Sequence, residues 1–263
     1  MKLSISNIAW SVEYDTHMYE YMSQIGFEGL EIAPTRIYPV NPYNNNSDLV
    51  RTFSGELKKN YNLKISSMQS IWYAKKEKLF GSIDERSSLM SYTKDAINFA
   101  SALGCKNLVF GCPKNRIIDN DNQYNIAVDF FRELGEYSVQ KMTTLSLEPN
   151  PMIYGTNFIN ETSQAFDLVR VVDSNGFRVN LDIGTIIENK ENVSSIMENI
   201  NLINHIHVSE PWLIHIEKRL LHNTIADILK NLNYDKYISI EMKNANNIES
   251  VKNCMNYVKD IFE

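Results

Sequence analysis

Eight short apolar segments recur along the chain, each followed by a polar, glycine or proline stop and then by an amphipathic stretch long enough for a helix. In chain order they are KLSISNIAW (2–10), GLEIAP (29–34), LKISSMQSIW (63–72), KNLVFGCP (106–113), TTLSLEP (143–149), FRVNLDIG (177–184), INHIHVSE (203–210) and YISIEMK (237–243). Strands that alternate with helices favour parallel pairing through right-handed crossovers. Eight such units predict an α/β fold, a single (β/α)₈ TIM-barrel domain that takes in residues 1–263.

The stretches between these segments have recognisable helix ends. Asp15 or Thr16 opens a helix closed by Gly26, Asp84 opens one closed by Gly104, and Asn160 or Thr162 opens one that stops at Asn175-Gly176. A last helix is predicted from Asn247, because apolar residues follow it at three- and four-residue spacing and mark one buried face. The polar stretch NPYNNNSD (41–48) is predicted to be a loop.

Composition and charge narrow the class of function. The chain has 263 residues, of which 43% are hydrophobic, and this is a globular composition. A net charge of −6 disfavours a nucleic-acid partner, which needs clustered Lys and Arg, so a small polar substrate is expected. No run of about eighteen apolar residues predicts a membrane span, and MKLSISNIAW lacks the long apolar core of a signal peptide. We therefore expect a soluble, cytoplasmic protein with no membrane partner.

The three cysteines, Cys105, Cys112 and Cys254, are an odd number without a paired spacing. This pattern favours buried thiols over a disulfide framework or a zinc knuckle.

Candidate chemistry lies where four of the predicted strands end. Glu148 closes a buried strand directly before a proline, and a carboxylate there requires a partner. It is either in an ion pair with an arginine or a metal-binding or catalytic carboxylate. Asp182, His207 and Glu241 end the next three strands. In a (β/α)₈ barrel all carboxyl strand ends meet at one mouth, so we expect the four side chains to converge.

Three carboxylates and one imidazole form an oxygen-rich ligand set that suits one divalent cation, Mn²⁺, Mg²⁺, Co²⁺ or Zn²⁺. Without a cation, three carboxylates at one mouth would repel one another. Taken singly, each residue has a plain alternative: Asp182 as a turn former before Gly184, Glu241 in an ion pair, and His207 as a hydrogen-bonded core residue. Four of them at corresponding strand ends favour the metal.

The motifs LEP (147–149), LDIG (181–184), HIHVSE (205–210) and IEMK (240–243) resemble those of the xylose-isomerase-like barrel superfamily. This group includes tagatose and psicose 3-epimerases, inosose dehydratases and endonuclease IV. The resemblance covers the whole chain and implies that Glu148, Asp182, His207 and Glu241 bind one divalent cation. His205, the first histidine of HIHVSE, is expected to point away from the site and is left out of the ligand set.

The resemblance also implies a mechanism and a function. Glu148 and Glu241 would act as acid and base on opposite faces of a substrate, one removing a proton next to a carbonyl while the cation stabilises the enediolate. The protein is thereby expected to be a metal-dependent isomerase or epimerase, with manganese as one suitable ion. Its substrate would be a sugar or sugar derivative, either free or carrying a phosphate or nucleotide. Glu210 is either a substrate-hydroxyl partner or an ordinary loop carboxylate.

Three positions depart from the pattern of the 3-epimerases. Thr185, Tyr154 and Leu213 stand where those enzymes have a histidine, a glutamate and a substrate-binding arginine. The resemblance therefore implies the same metal ligands in this chain, but it does not imply a pocket for a free ketohexose.

Further residues near strand ends are candidate substrate contacts. Lys114 and Arg116 either bind an anionic group of the substrate or neutralise an acidic mouth. Aromatic residues at strand ends either stack on a sugar or pack the rim. Besides these two cations and Glu210, the candidates are Gln69, Asn7, Trp10, Trp72, Trp212, Tyr154, Lys243 and Arg219.

Other functions share this barrel. A dehydratase begins with the same proton abstraction and differs in losing a leaving group. A repair endonuclease would need more histidines than the five present and a basic DNA-facing surface. A non-catalytic carbohydrate-binding barrel is the third alternative. Family members are often dimers or tetramers, so a homo-oligomer is compatible with the resemblance.

Overall fold

Eight parallel strands close into a barrel in the computed structural model, which describes residues 1–44 and 47–263. Each strand pairs in parallel with the next one along the chain, and the last pairs with the first. The strands are β1 (Lys2–Ser6), β2 (Gly29–Ile32), β3 (Lys64–Met68), β4 (Leu108–Phe110), β5 (Leu145–Leu147), β6 (Phe177–Asp182), β7 (Ile203–Val208) and β8 (Tyr237–Ile240). Every predicted segment contains one of them, which confirms the predicted fold class.

Helices alternate with the strands. They are α1 (Asp15–Ile25), α2 (Pro34–Ile37), α3 (Ser47–Tyr61), α4 (Ile83–Leu103), α5 (Tyr124–Gln140), α6 (Thr162–Val172), α7 (Ile183–Asn189), α8 (Ser195–Asn199), α9 (Leu220–Asn231) and α10 (Ile248–Phe262). None of the helices in the described ranges is both long enough and apolar enough to cross a membrane. Of the predicted polar loop 41–48, Asn45 and Asn46 lie outside the described residues.

Most predicted helix ends agree with the structure. Gly26 and Gly104 end α1 and α4 in the left-handed conformation, with φ of +85° and +72°, where glycine has no steric penalty. The α4 helix begins one residue before the predicted Asp84, because Ser82 caps it. The α6 helix ends before the predicted Asn175-Gly176 stop, because Asp173 already adopts the left-handed conformation, with φ of +50°.

Apolar side chains fill the space between the barrel and its helices. The predicted face of α10 is part of this core, since Val251, Cys254, Met255 and Val258 are all buried. The thiols of all three cysteines are free, and that of Cys112 is only partly buried. The core fixes the helices around the barrel and leaves the strand ends to form the site.

The inside of the barrel is unusually polar, since such interiors are commonly filled by branched apolar residues. A contact between strands that are not neighbours must pass through the interior. The Oγ atoms of Ser4 in β1 and Ser66 in β3 lie 2.6 Å apart, and Asn204 Nδ2 in β7 donates to Asn107 Oδ1 beside β4 over 2.7 Å. These contacts show that hydroxyl and amide groups occupy the lower interior.

Candidate active site

Four side chains that the sequence predicted to converge do so at the carboxyl ends of β5 to β8. One ligand atom each from Glu148, Asp182, His207 and Glu241 lies within 4.8 Å of all the others. His207 Nδ1 is 3.0 Å from Glu148 Oε2 and 3.2 Å from Glu241 Oε2. All four residues are buried, the most exposed being Glu148 at 8%. We call these four residues the charged cluster.

Two asparagine amides hold the carboxylate of Glu148. Asn150 Nδ2 donates to Oε1 and Asn180 Nδ2 donates to Oε2, each over 2.8 Å. Gly111 leaves room for this arrangement, because a Cβ there would lie 3.1 Å from Glu148 Oε1. Both donors are neutral, so they orient the carboxylate without cancelling its charge.

Asp182 is held by the beginning of the helix that follows it. Its Oδ2 accepts from the backbone N–H of Thr185 over 2.7 Å, which makes Asp182 the N-cap of α7. The Thr185 hydroxyl lies 2.7 Å from the same oxygen, and the Ser209 hydroxyl donates to Oδ1. The threonine that replaces the histidine of the 3-epimerases therefore orients a candidate metal ligand.

Burial and neighbouring charges shift the pKa values within the cluster, where three carboxylates face one imidazole. Burial, together with the nearby Glu148, raises the pKa of Asp182 to about 6. Burial, only partly opposed by His207, raises the pKa of Glu241 to about 7. Burial alone would lower the pKa of His207, but Glu31 and Glu241 raise it well above its usual range. A divalent cation fits this donor set, because it would supply the charge that neutral hydrogen-bond donors do not.

A cavity of about 180 Å³ opens above the charged cluster. Three of the four cluster residues border it, and the remaining lining residues supply amides, hydroxyls and apolar groups. The lining consists of Gln69, Ser70, Val109, Gly111, Cys112, Pro113, Glu148, Asn150, Tyr154, Asp182, Leu213 and Glu241. None of these described lining residues is basic.

Three of the predicted substrate contacts lie at this cavity or on its rim. Gln69 lines it, with its Nε2 donating to Ser6 Oγ over 3.2 Å. Tyr154 lines it too, and the ring of Trp212 packs edge-on against the tyrosine ring with centroids 5.4 Å apart. The backbone N–H of Trp212 donates to Tyr154 Oη over 2.7 Å. Since Trp212 is 55% exposed, the pair forms part of the rim.

Three further candidates are buried and engaged away from the cavity lining. The Trp10 indole donates to Asp15 Oδ1 and the Trp72 indole donates to Thr93 Oγ1, each over 2.8 Å. Asn7 Oδ1 accepts from the backbone N–H of Ala33 over 2.9 Å. The structure gives these side chains packing and hydrogen-bonding partners within the fold.

The charged candidates are also placed outside the cavity lining. Arg116 is fully buried and donates to the backbone oxygen of Glu148 and to Asn150 Oδ1. Burial lowers the pKa of this guanidinium to about 10. Glu210 accepts two hydrogen bonds from Arg219, of 2.7 and 2.6 Å. Lys114 and Lys243 are exposed.

The expectation that His205 points away from the site is wrong. Side chains alternate along a strand, so residues two positions apart share a face. Both imidazoles accordingly point into the barrel, with His205 Nε2 3.1 Å and His207 Nε2 3.0 Å from Glu31 Oε2. His205 lies outside the charged cluster because it is two residues further from the mouth.

Several residues of the site were not anticipated from the sequence. Asn150 and Asn180 each lie two residues from a cluster carboxylate along the chain, and Ser209 lies two residues after His207. Glu31 had a detectable signal, because a carboxylate inside the buried strand GLEI is as unusual as Glu148 in TTLSLEP. The period-two spacing identifies Asn150, Asn180 and Ser209 as neighbours of the cluster.

Comparison with known proteins gives a family match. Residues 19–261 match the model of the family described as xylose isomerase-like TIM barrel. No curated protein matches the chain by sequence.

Solved structures with the same fold include two epimerases and a dehydratase. D-psicose 3-epimerase from Clostridium cellulolyticum H10, solved with D-tagatose, has a TM-score of 0.81 at 15% identity, with 100% of each chain covered. The 3-keto-D-glucoside 4-epimerase from E. coli has a TM-score of 0.77 at 17% identity, with 99% of each chain covered. A probable 3-DHS dehydratase from Bacillus anthracis has a TM-score of 0.73 at 17% identity, covering 98% of this chain and 99% of that one. At these identities the likeness concerns the fold.

Proposed function

Because the chain belongs to the xylose isomerase-like TIM barrel family, we propose that it is a divalent-metal-dependent isomerase or epimerase of a sugar or sugar derivative. The observation that carries this proposal is the charged cluster at the floor of the cavity. Glu148, Asp182, His207 and Glu241 would hold the cation, and their mixed oxygen and nitrogen donors suit Mn²⁺, Mg²⁺, Co²⁺ or Zn²⁺.

The two glutamates are the candidate acid and base. Both border the cavity, one after β5 and the other after β8. When bound, the cation would polarise the substrate carbonyl and stabilise the negative charge that develops on its oxygen. One glutamate removes the proton from the carbon next to that carbonyl, and the other returns a proton to complete the reaction. The amide of Asn150 keeps Glu148 aimed at the cavity during this exchange.

Tyr154 is suited to bind a substrate oxygen. Its phenol oxygen already accepts the N–H of Trp212, so the hydroxyl proton is free to be donated. Burial raises the pKa of Tyr154, which keeps that proton in place at neutral pH.

The absence of basic groups among the described lining residues favours a neutral sugar over a phosphorylated or nucleotide-activated one. Arg116 donates hydrogen bonds to the backbone oxygen of Glu148 and to Asn150. It therefore stabilises the site internally and does not bind a substrate phosphate.

Proton exchange in deuterium oxide tests the proposal. The protein, stripped of metal and reloaded with Mn²⁺, is incubated with neutral ketoses, keto-glycosides and sugar phosphates and followed by ¹H NMR. We expect metal-dependent exchange of one carbon-bound proton in a neutral sugar, with no loss of water. A dehydrated product would assign a lyase, and binding without exchange would indicate a non-catalytic barrel.

A further inference from the structure

Glu31 lies inside the barrel against His205 and His207, and it is not among the residues that line the cavity. It is fully buried, and one of its oxygens, Oε2, faces the Nε2 atoms of both His205 and His207 at hydrogen-bond distance. Burial alone would raise the pKa of Glu31, but the two histidines lower it overall. A carboxylate accepts but does not donate, so each of these nitrogens carries a hydrogen.

The two nitrogens of His207 consequently face different partners. Nε2 faces Glu31, while Nδ1 faces the carboxylates of Glu148 and Glu241 at 3.0 and 3.2 Å. Without a cation, Nδ1 also carries a hydrogen toward these carboxylates, and a bound cation would displace it. Because the hydrogen on Nε2 stays bonded to Glu31, Nδ1 is the nitrogen left to bind a metal. Turning the ring over would exchange these roles and would break the bond to Glu31.

We propose that Glu31 is a positioning residue, whose carboxylate holds the His207 ring so that Nδ1 presents its lone pair to the cation. This inference rests on the proposed function, since it concerns the same metal site. A carboxylate behind a ligating histidine fixes the ring and makes it a stronger ligand. The bond from His205 to the same oxygen helps to hold the Glu31 carboxylate in place.

A second cation is the competing explanation, because ligand atoms of Glu31, His205 and His207 also lie within 4.8 Å of one another. With an ion at each site, His207 would have to bind metals through both nitrogens and lose both hydrogens. Two direct hydrogen bonds onto Glu31 Oε2 account for the same distances without that loss. The geometry therefore favours one cation and a positioning role for Glu31.

Metal binding to purified variants tests the inference without relying on turnover. Mn²⁺ affinity and stoichiometry are measured by titration calorimetry, and the visible spectrum of the Co²⁺ form reports the ligand geometry. We expect one ion per chain in the wild type and an affinity lower by about 10- to 100-fold in Glu31→Ala. Glu31→Gln keeps an acceptor oxygen and should lose less affinity, with a Co²⁺ spectrum closer to that of the wild type.

Ser146→Ala is the matched control, because Ser146 is also buried inside the barrel but bonds to Asn107 instead of the cluster. It should retain wild-type metal affinity, and circular dichroism verifies the folding of each variant.

Unchanged affinity in folded Glu31→Ala, or equal losses in the Gln and Ala variants, would overturn the positioning role alone. Two ions per wild-type chain, falling to one in Glu31→Ala, would assign the second cation site. A wild type that binds no divalent metal would overturn the proposed function as well.

Discussion

Two buried polar regions lie inside the same barrel. They differ in whether their own side chains provide each other's hydrogen-bond partners and balance each other's charge. Toward the amino ends of the strands, Asn107 accepts from Ser146 and Asn204 over 2.6 and 2.7 Å and donates to Ser67 over 2.9 Å. We call these four residues the neutral network. The charged cluster begins two residues after Ser146, at Glu148, just past the end of β5.

No side-chain nitrogen or oxygen atom of the neutral network is buried without a hydrogen-bond partner, so burial costs it little. In the charged cluster three carboxylates face one imidazole, and the pKa values of Asp182 and Glu241 rise as a result of burial and mutual repulsion. The difference shows that buried polarity alone does not indicate function. Buried charge that the protein compensates only in part is the feature typical of functional sites.

The largest expected effect comes from removing a candidate base. Glu148→Gln keeps the shape of the side chain but cannot take a proton, so turnover should fall by about 10²- to 10⁴-fold. The fold should remain, because the lost group is a repelling charge and not a packing element. Exchange rates by ¹H NMR and circular dichroism measure the two quantities. Turnover near the wild-type rate would remove Glu148 from the mechanism.

The second-largest effect is expected on metal binding, when the single nitrogen ligand of the charged cluster is removed. His207→Ala takes away a ligand and its ring, so Mn²⁺ affinity should drop by more than about 100-fold, beyond the loss expected for a residue behind a ligand. Calorimetric titration measures this drop. Retained affinity would show that the other three residues bind the ion alone.

A decrease in pH should affect the charged cluster and not the neutral network, so the two regions can be compared without a mutation. The pKa values of about 6 for Asp182 and about 7 for Glu241 lie above those of ordinary carboxyl groups, so protons compete with the metal below neutral pH. The proton of His207, whose pKa is raised well above its usual range, competes with the metal as well. Mn²⁺ affinity should therefore rise as pH increases from about 5 through neutral pH, changing by at least about tenfold. Titrations in buffers of different ionisation enthalpy should show proton release. An affinity independent of pH would contradict this.

A change in the neutral network should affect stability and not metal binding. Asn107→Ala leaves the partners Ser67, Ser146 and Asn204 without their bonds, so the free energy of unfolding should fall by about 1 to 3 kcal/mol. Urea denaturation and a parallel Mn²⁺ titration test the two halves of this prediction. A loss of metal affinity would show that the two regions are coupled.

The smallest effect is expected at the exposed rim. Lys114→Ala should change the free energy of unfolding by less than about 0.5 kcal/mol, as is usual for surface positions. Turnover of a neutral sugar should stay at the wild-type rate, because Lys114 is absent from the cavity lining. A marked loss with sugar phosphates alone would restore the anion-binding interpretation.

Local patterns predicted most of the architecture. The eight apolar segments each contain a strand, and glycines end α1 and α4 where expected, because strand burial and helix ends depend on neighbouring residues. The convergence of Glu148, Asp182, His207 and Glu241 followed from barrel closure and from their places at strand ends. His205 was misplaced because the period of two along a strand was misapplied. The same period locates Asn180, two residues before Asp182.

The amino-acid sequence by itself determined the order of strands and helices, the barrel and the residues that end its strands, since these follow from periodicity and chain direction. Only the tertiary structure decided which polar side chains meet. Glu210 pairs with Arg219, Arg116 turns toward Glu148 and Asn150, and Glu31 reaches across from β2 to His207. The contact between Glu31 and His207 joins residues 176 positions apart. Their partners depend on side-chain direction and on distance through the barrel interior, which the local pattern of a single chain does not encode.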